Sequence, residues 1–422
     1  MKLGAYLIDL RPLSIPEFRR LWTASAVSAI GGSFSLIAVP TQLFTMTGSS
    51  AAVGLAAVVS LATLVVAALW FGALADTMDR RRLLLAGNAG LGLTYLGLWL
   101  HSMLGFDSVA VLLLLVALQG VSYGATMTTM GAAVPRVVPG ELLVAANSLS
   151  SLTRNTGAVV GPLLAGALIP LTGLGWLYLF DAAALAFVVW AVAALPPILP
   201  AAGATRARGI VHQLGEGFVY LSRQRVLVAI LAVDLCAMVL ALPVALFPEV
   251  AERTFGGPVG GGTQLGLLFA AYPAGVFVAG LLSGTFSRAR RHGALMATAA
   301  IIWGALVVAF ALATTLWVGL ALLVAGGAVN FVLSTFRNAI SQAYTDDALR
   351  GRIQGALVVV LMGGPQLANL VHGFGGAAIG ARWAIGVGGA LCVLAVAAIV
   401  WAVPQLWRYD SARTPERERA AT

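Results

Sequence analysis

Long apolar runs, separated by short clusters of charge, are the feature that most constrains this chain. About 20 mostly apolar residues cross a bilayer as a helix, and the 422 residues contain many such runs. Only 10% of the residues are charged, against about 25% in a soluble domain. The composition therefore excludes a soluble enzyme. It also excludes a nucleic-acid-binding protein despite the net charge of +9, because the basic residues lie between apolar runs. We expect an all-α integral membrane protein.

The runs predict twelve transmembrane helices, with no cleavable signal sequence before the first. The predicted spans are about 21–46, 51–75, 83–104, 109–133, 142–170, 175–195, 226–250, 264–286, 293–313, 316–341, 352–380 and 382–407. The fifth and eleventh are long, rich in glycine and interrupted by polar residues, so we expect them to tilt or bend.

The basic residues predict the orientation of the chain. If the N-terminus is cytoplasmic, nearly all of the 25 lysines and arginines lie on the cytoplasmic side. The four exceptions are Arg154, Arg253, Arg337 and Arg382. The positive-inside rule then places both termini in the cytoplasm. The expected location is the cytoplasmic (inner) membrane of the cell.

Short strings recur about half a chain apart and predict an internal repeat. Val53-Gly54-Leu55 matches Leu265-Gly266-Leu267, and the basic cluster at 80–82 is echoed at 288–291. Two six-helix halves related in this way are typical of secondary transporters.

We therefore divide the chain into two halves, 1–195 and 226–407, followed by a cytoplasmic tail, 408–422. A cytoplasmic linker, 196–225, joins the halves. Apolar residues recur at helical spacing within the linker, which indicates either an amphipathic helix on the inner leaflet or a plain linker with accidental periodicity.

The end of the second predicted span carries a recognisable motif. Gly72-Ala73-Leu74-Ala75-Asp76, followed by the arginines at 80–82, resembles the loop signature of the major facilitator superfamily. The sequence departs from that signature at Asp79, where the family usually has glycine. The resemblance implies the major facilitator fold. It also implies that a cytoplasmic gating latch is formed by Gly72, Asp76, Arg80 and Arg81. The alternative for the arginines is a topology signal that contacts lipid.

The predicted fifth helix contains Gly157, Gly161 and Pro162 in a Gly-x-x-x-Gly-Pro pattern. Small residues four apart allow helices to pack closely, and proline permits a bend. The pattern resembles the antiporter motif of drug:proton exporters in the same superfamily. That resemblance implies a hinge at these three residues and favours export over uptake. The alternative is ordinary close packing.

Several strings narrow the resemblance to the enterobactin (siderophore) exporter branch of the superfamily. They are Ile37–Pro40, Thr45–Ser49, Asp181–Ala183, Gln264–Ala271 and Leu349–Gly355. The resemblance implies proton-coupled export of a siderophore or a similar amphipathic metabolite by alternating access. A multidrug or macrolide efflux transporter is the alternative, although the absence of a carboxylate from Gly31-Gly32-Ser33-Phe34 weakens it.

Ionisable residues inside the membrane are functional candidates, because a charge at mid-bilayer costs about 2.5–3.5 kcal/mol. Asp234 lies in the seventh predicted helix and Arg154 in the fifth. We predict that these two residues carry proton coupling. The alternatives are an Asp234 fixed by Arg337 and an Arg154 that only supports helix packing. We expect Asp181 to lie near the outer interface.

In this superfamily helices 1, 4, 7 and 10 line the transport path. The predicted substrate cavity is polar but neutral. Its candidate residues are Gln42, Gln119, Tyr123, Thr126, Asn330, Ser334, Gln366 and Asn369.

The remaining expectations concern partners. We predict no enzymatic activity, no catalytic residues, no metal site and no cofactor. A membrane-embedded enzyme would need an acidic or metal-binding constellation, and the only acidic pair is Asp346-Asp347. The expected partners are an amphipathic small molecule, protons and the lipid bilayer, with no nucleic acid and no second subunit.

Overall fold

The computed structural model describes residues 10–32, 34–75, 77–199, 224–260, 262–285, 289–343 and 350–410. In this part of the chain the backbone is α-helical, with short 3-10 and π turns and no strand. The all-α fold class is therefore confirmed. Asp76, most of the linker and most of the tail, for which the sequence made predictions, lie outside the described residues.

The helices agree with the predicted spans to within a few residues at most ends. Those before the linker are α1 (Pro16–Gly31), α2 (Phe34–Thr47), α3 (Ser50–Ala75), α4 (Arg80–Met103), α5 (Val109–Val137), α6 (Leu143–Thr172) and α7 (Leu174–Ala193). Those after it are α8 (Arg225–Ala241), α9 (Thr263–Leu281), α10 (His292–Leu312), α11 (Leu316–Ala343), α12 (Arg350–Ile379), α13 (Ala381–Ala402) and α14 (Pro404–Arg408).

Ten helical segments within the described ranges are long and apolar enough to cross a membrane. Pro16–Thr47, which joins α1 and α2, counts as one of them, and so does Arg225–Thr254. Helices α6 and α12 are long but are not among the ten; α6 contributes only the shorter apolar stretch Val159–Thr172. The chain is a multi-pass membrane protein, and twelve crossings remain a prediction.

The first span is broken, whereas the sequence predicted one continuous helix. Helix α1 ends at Gly31 and α2 begins at Phe34. Glycine has a low helix propensity, so Gly31 and Gly32 favour a break. Gly31 also lies so close to α7 that a β-carbon there would stand 2.6 Å from the Ala184 methyl group. The break therefore combines a weak helical sequence with a close helix contact.

The seventh span also differs from a single helix. Helix α8 ends at Ala241, and the chain continues through a 3-10 turn, Val244–Leu246, and a π turn, Val250–Thr254. Arg253 forms an ion pair with Glu249 at 3.0 Å, and Glu249 also accepts a hydrogen bond from the Ser50 hydroxyl. Arg253, an exception to the charge pattern, therefore has a local partner.

The chain divides into two compact units. The first comprises Met1–Thr47, Val58–Ile210 and Val259–Gly266, and the second comprises Gly48–Ala57, Val211–Pro258 and Leu267–Thr422. In the first unit α4 packs against α5 and α7, and α1 packs against α6 and α7. In the second unit α10 packs against α11 and α13, and α8 packs against α12 and α13.

Glycine pairs allow close helix packing in each unit. In the first, Gly166 of α6 lies against Gly266 of α9, where a β-carbon on Gly166 would stand 2.5 Å from the partner's α-carbon. In the second, Gly373 of α12 lies against Gly54 of α3, with a corresponding distance of 2.8 Å. Gly54 and Gly266 are the matching glycines of the predicted repeat, so the repeat preserves this packing contact.

Gly157 provides a similar contact between α6 and α1. A β-carbon at Gly157 would lie 2.5 Å from the Ala29 carbonyl oxygen. Helix α6 continues through Pro162 to Thr172. The glycine thus allows two helices to approach more closely than any larger residue would permit.

Replacing Gly157 by alanine should destabilise the protein, because the added methyl group meets backbone atoms. We expect Gly157→Ala to lower the free energy of unfolding by about 1–3 kcal/mol, the usual cost of overpacking. Gly363→Ala is the matched control, since among the described residues no atom outside its own stretch of helix lies within 4 Å of a β-carbon there. Thermal unfolding of the purified protein measures both. Equal stability of the two variants would contradict the packing role.

Candidate functional site

Asp234 of α8 and Arg337 of α11 form a buried ion pair in the second unit. The Nη1 atom of Arg337 donates to both carboxylate oxygens of Asp234 at 2.8 Å. The two side chains are 3% and 9% exposed. Arg337 also donates to the Oδ1 atom of Asn338 at 3.2 and 3.3 Å. The arrangement corresponds to the fixed pair that the sequence left open as an alternative.

The ion pair constrains what Asp234 can do. A buried carboxylate is costly when unpaired, and the guanidinium compensates for its charge. A proton can bind Asp234 at lower cost once Arg337 moves away or finds another acceptor. The charges of Asp234 and Arg337 therefore compensate each other inside the protein.

The other proton-coupling candidate, Arg154, lies on α6, but its side chain is outside the described part of the structure. Its partner and its role stay predictions.

The predicted cavity residues fall into both units. In the first, Gln119 donates to the Tyr95 hydroxyl at 3.5 Å, Thr126 donates to the Ser122 carbonyl at 3.0 Å, and Tyr123 is 44% exposed. In the second, Ser334 donates to the carbonyl of Phe331 within its own helix. Asn330, Gln366 and Asn369 are half-buried there.

Gln42 differs from the other cavity candidates because both ends of its amide are occupied inside the first unit. It is 8% exposed. Its Oε1 accepts from the Tyr178 hydroxyl at 2.7 Å, and its Nε2 lies 3.2 Å from the Nδ1 of His101. One N–H of the amide and one lone pair of Oε1 remain beside these two bonds, so the place of Gln42 in the substrate cavity stays a prediction.

The predicted latch is described in part. Gly72 lies within α3, and Asp76 is outside the described residues. The Nε of Arg80 donates to the Ala75 carbonyl at 3.2 Å, and the Nη2 of Arg81 donates to the Ala193 carbonyl at 2.5 Å. Both arginines therefore bind the ends of helices rather than standing free in solvent.

Asp79, the departure from the superfamily pattern, has a structural role that the sequence reading missed. Its Oδ1 accepts from the backbone nitrogen of Arg81 at 3.0 Å and caps α4. The same oxygen accepts from the backbone nitrogen of Ile198 at 2.9 Å. An aspartate just before a helix is a known N-cap signal, so this role could have been read from the sequence.

Asp181 of α7 is fully buried, so the expectation that it reaches the interface is wrong. Its Oδ2 accepts from the Ser35 backbone nitrogen at 2.8 Å and from the Ser35 hydroxyl. Ser35 is the second residue of α2, so Asp181 caps the helix that begins after the break in the first span. No pattern in the sequence indicates that these two positions, 146 residues apart, are in contact.

The chain matches one protein family over nearly its whole length. The family model described as transmembrane secretion effector matches residues 8–419. The chain belongs to this family.

Two proteins that are similar to this chain are named as exporters. The protein is 28% identical to the enterobactin exporter EntS of Citrobacter koseri over 392 residues, 89% of this chain and 93% of the relative. It is 28% identical to EntS of Escherichia coli over 358 residues, 84% of each chain.

Solved structures with the same fold are major facilitator transporters. The nucleoside transporter NupG has a TM-score of 0.72 at 15% identity and covers 91% of this chain and 99% of its own. A bacterial homologue of the human lysosomal transporter Spinster has a TM-score of 0.70 at 13% identity, with 93% and 97% covered. These likenesses confirm the major facilitator fold.

Removing only one member of the Asp234–Arg337 ion pair should lower the free energy of unfolding more than replacing both members by neutral residues. Arg337→Ala leaves a buried unpaired carboxylate, and we expect a loss of about 3–5 kcal/mol in the free energy of unfolding. The double variant Asp234→Asn with Arg337→Gln carries no buried charge and should lose clearly less. Chemical unfolding in detergent compares them. A double variant less stable than Arg337→Ala would contradict the account.

Proposed function

We propose that this membrane transporter is a proton-coupled secondary active exporter of a siderophore or a similar amphipathic metabolite. The observation that carries the proposal is the similarity to named enterobactin exporters over 84–89% of the chain. A multidrug or macrolide exporter of the same superfamily is the second candidate, because the exposed Tyr123 and the neutral amides also suit varied amphipathic ligands.

We propose that neutral polar groups line the substrate cavity, among them Gln42 of the first unit. Hydroxyls and amides orient a ligand without the desolvation cost of a charge. We propose that Gln119, Tyr123 and Thr126 contribute from the first unit. The proposed contribution of the second unit consists of Asn330, Ser334, Gln366 and Asn369.

We propose that the Asp234–Arg337 pair couples transport to protons. Protonation removes the charge of Asp234 and frees the Arg337 guanidinium to bind another acceptor. Loss of the proton restores the pair, with its two bonds of 2.8 Å. Arg154 is proposed to assist by binding an anionic group or by tuning a carboxylate.

Alternating access requires helices that move relative to one another. The proposed hinge is Gly157, Gly161 and Pro162 of α6, where close packing and a missing backbone donor occur together. The proposed cytoplasmic latch is Gly72, Asp76, Arg80 and Arg81. The proposed orientation has both termini in the cytoplasm, and the working unit is a monomer in the inner membrane.

Substrate accumulation in cells distinguishes the two candidate functions. We expect cells that express the protein to release more catecholate siderophore than cells without it, and to retain cationic dyes equally. Vector-only cells and cells with an Arg337→Ala variant are the controls. Dye efflux without any change in siderophore release would favour the multidrug candidate and overturn the first.

The coupling role of Asp234 has a separate test in proteoliposomes with an imposed pH gradient. We expect Asp234→Asn to abolish the dependence of transport on the gradient, because the side chain can no longer exchange a proton. Asp107→Asn is the matched control, since Asp107 is exposed and lies between helices. An unchanged pH dependence in Asp234→Asn would remove Asp234 from the mechanism.

A further inference from the structure

A seam of polar side chains runs between α2 and α7 in the first unit. Ser35 and Gln42 are seven residues apart on α2, and Tyr178 and Asp181 are three apart on α7, so each pair shares a helix face. Ser35 bonds to Asp181, and Gln42 bonds to Tyr178. All four side chains are at most 8% exposed.

The seam continues towards the loop between α4 and α5. His101, the third-last residue of α4, lies 3.2 Å from Gln42 through its Nδ1 atom. Its Nε2 atom lies 3.1 Å from the carbonyl oxygen of Ser108 in that loop. Because Nε2 faces an acceptor, it carries the proton, and Nδ1 accepts from the Gln42 amide. The three side chains therefore satisfy one another, and Gln42 and Tyr178 are held in fixed orientations.

Asp181 is the exception in this satisfied network. It is 0% exposed, and its Oδ1 has no hydrogen-bond partner among the described residues. Oδ1 points towards Gly31, since a β-carbon on Gly31 would lie 3.7 Å from it. Beside it, the rings of Phe34 and Phe180 pack edge to face at 6.4 Å. One carboxylate oxygen is thus bonded twice, while the other has no hydrogen-bond partner among the described residues although Asp181 is fully buried.

The groups that face Asp181 include no described cation. Tyr95 of α4 and Tyr178 of its own helix are the titratable groups close enough to interact with it. Helices α1 and α2 have no acidic or basic residue between Thr23 and Thr47. Helix α6 carries Arg154, whose side chain is outside the described part. The ion pairs of the described residues involve other carboxylates.

We propose that Asp181 is a second proton-binding site, with the proton carried on Oδ1. A proton neutralises a buried carboxylate that has no cation beside it, and Asp181 is buried with no cation partner among the described residues. Two donors from Ser35 and the N-terminal end of α2 support the ionised form. The surroundings therefore support both the protonated and the ionised form of Asp181. A group that gains and loses a proton requires such support for both forms. A metal cation would need several oxygen ligands, whereas Asp181 offers one free oxygen.

The proton enters as a hydronium proton, binds the Oδ1 lone pair and leaves to water, with no other bond made or broken. Its use in coupling rests on the proposed function. Protonation weakens the two bonds from Ser35, because a neutral carboxyl is a poorer acceptor than a carboxylate. Binding or loss of the proton at Oδ1 therefore changes the strength of the Ser35–Asp181 bonds. These bonds connect α7 to the start of α2.

Infrared difference spectroscopy of the full-length protein in lipid nanodiscs tests the site without transport. We expect a carbonyl band of a protonated carboxyl group to grow as the pH falls. Asp181→Asn should lack this band, and Asp234→Asn should retain it. Ser35→Ala keeps the carboxyl but removes one donor, so the band should persist at a shifted frequency.

Three outcomes would overturn the site. One is a wild-type spectrum without the band, as expected if Arg154 keeps Asp181 ionised. Another is a band that both Asp181→Asn and Ser35→Ala leave unchanged; if Asp181→Asn does not fold, the Ser35→Ala spectrum decides alone. The third is a band that sodium chloride removes at constant pH while choline chloride does not, which would identify a cation site.

A transport measurement separates this inference from the proposed function. In proteoliposomes we expect Asp181→Asn to reduce export driven by a given pH gradient while leaving the substrate concentration for half-maximal rate unchanged. Full gradient-driven export by Asp181→Asn would overturn the coupling role of the site alone. Wild-type export that ignores the gradient, together with a titrating infrared band, would overturn the proposed function and retain the proton site.

Discussion

The interior of a bilayer offers no water to bond with the backbone, and the rest of the structure depends on that constraint. Every amide in lipid must find a partner within the protein, so the chain forms helices throughout its described part. A break in a helix is costly there, because the first amides of the new helix have no partner. The break between α1 and α2 persists because the Asp181 carboxylate accepts from the first turn of α2.

The interior of the bilayer also disfavours charge, and the protein accommodates its buried carboxylates in two ways. Asp234 is compensated by the Arg337 guanidinium through two bonds to one nitrogen. Asp181 accepts hydrogen bonds from neutral donors at Ser35, and its Oδ1 has no hydrogen-bond partner among the described residues. A carboxylate that is paired with a cation can accept a proton only after the cation moves away. A carboxylate oxygen without such a partner needs only a path by which the proton can reach it. The two units thus hold their acidic groups in physically different environments.

The sequence predicted the helices well because hydropathy is summed over some twenty residues and tolerates local exceptions. It also identified Asp234, since a carboxylate deep in an apolar run is conspicuous. It failed at the break after Gly31 and at Asp181, because both depend on packing between α1, α2 and α7. Depth along one helix does not show whether a neighbouring helix covers a residue. The partners of Gln42 could not be predicted for the same reason, since they lie 59 and 136 residues away.

The bond between Ser35 and Asp181 joins residues 146 positions apart, and this has an evolutionary consequence. A mutation that removes the carboxyl leaves the Ser35 amide of α2 without this acceptor, and a mutation that removes the hydroxyl withdraws support from the carboxylate. Selection therefore acts on the two residues together rather than on each of them alone. Descendants of this chain should keep both residues or replace both together, with intermediate genotypes short-lived.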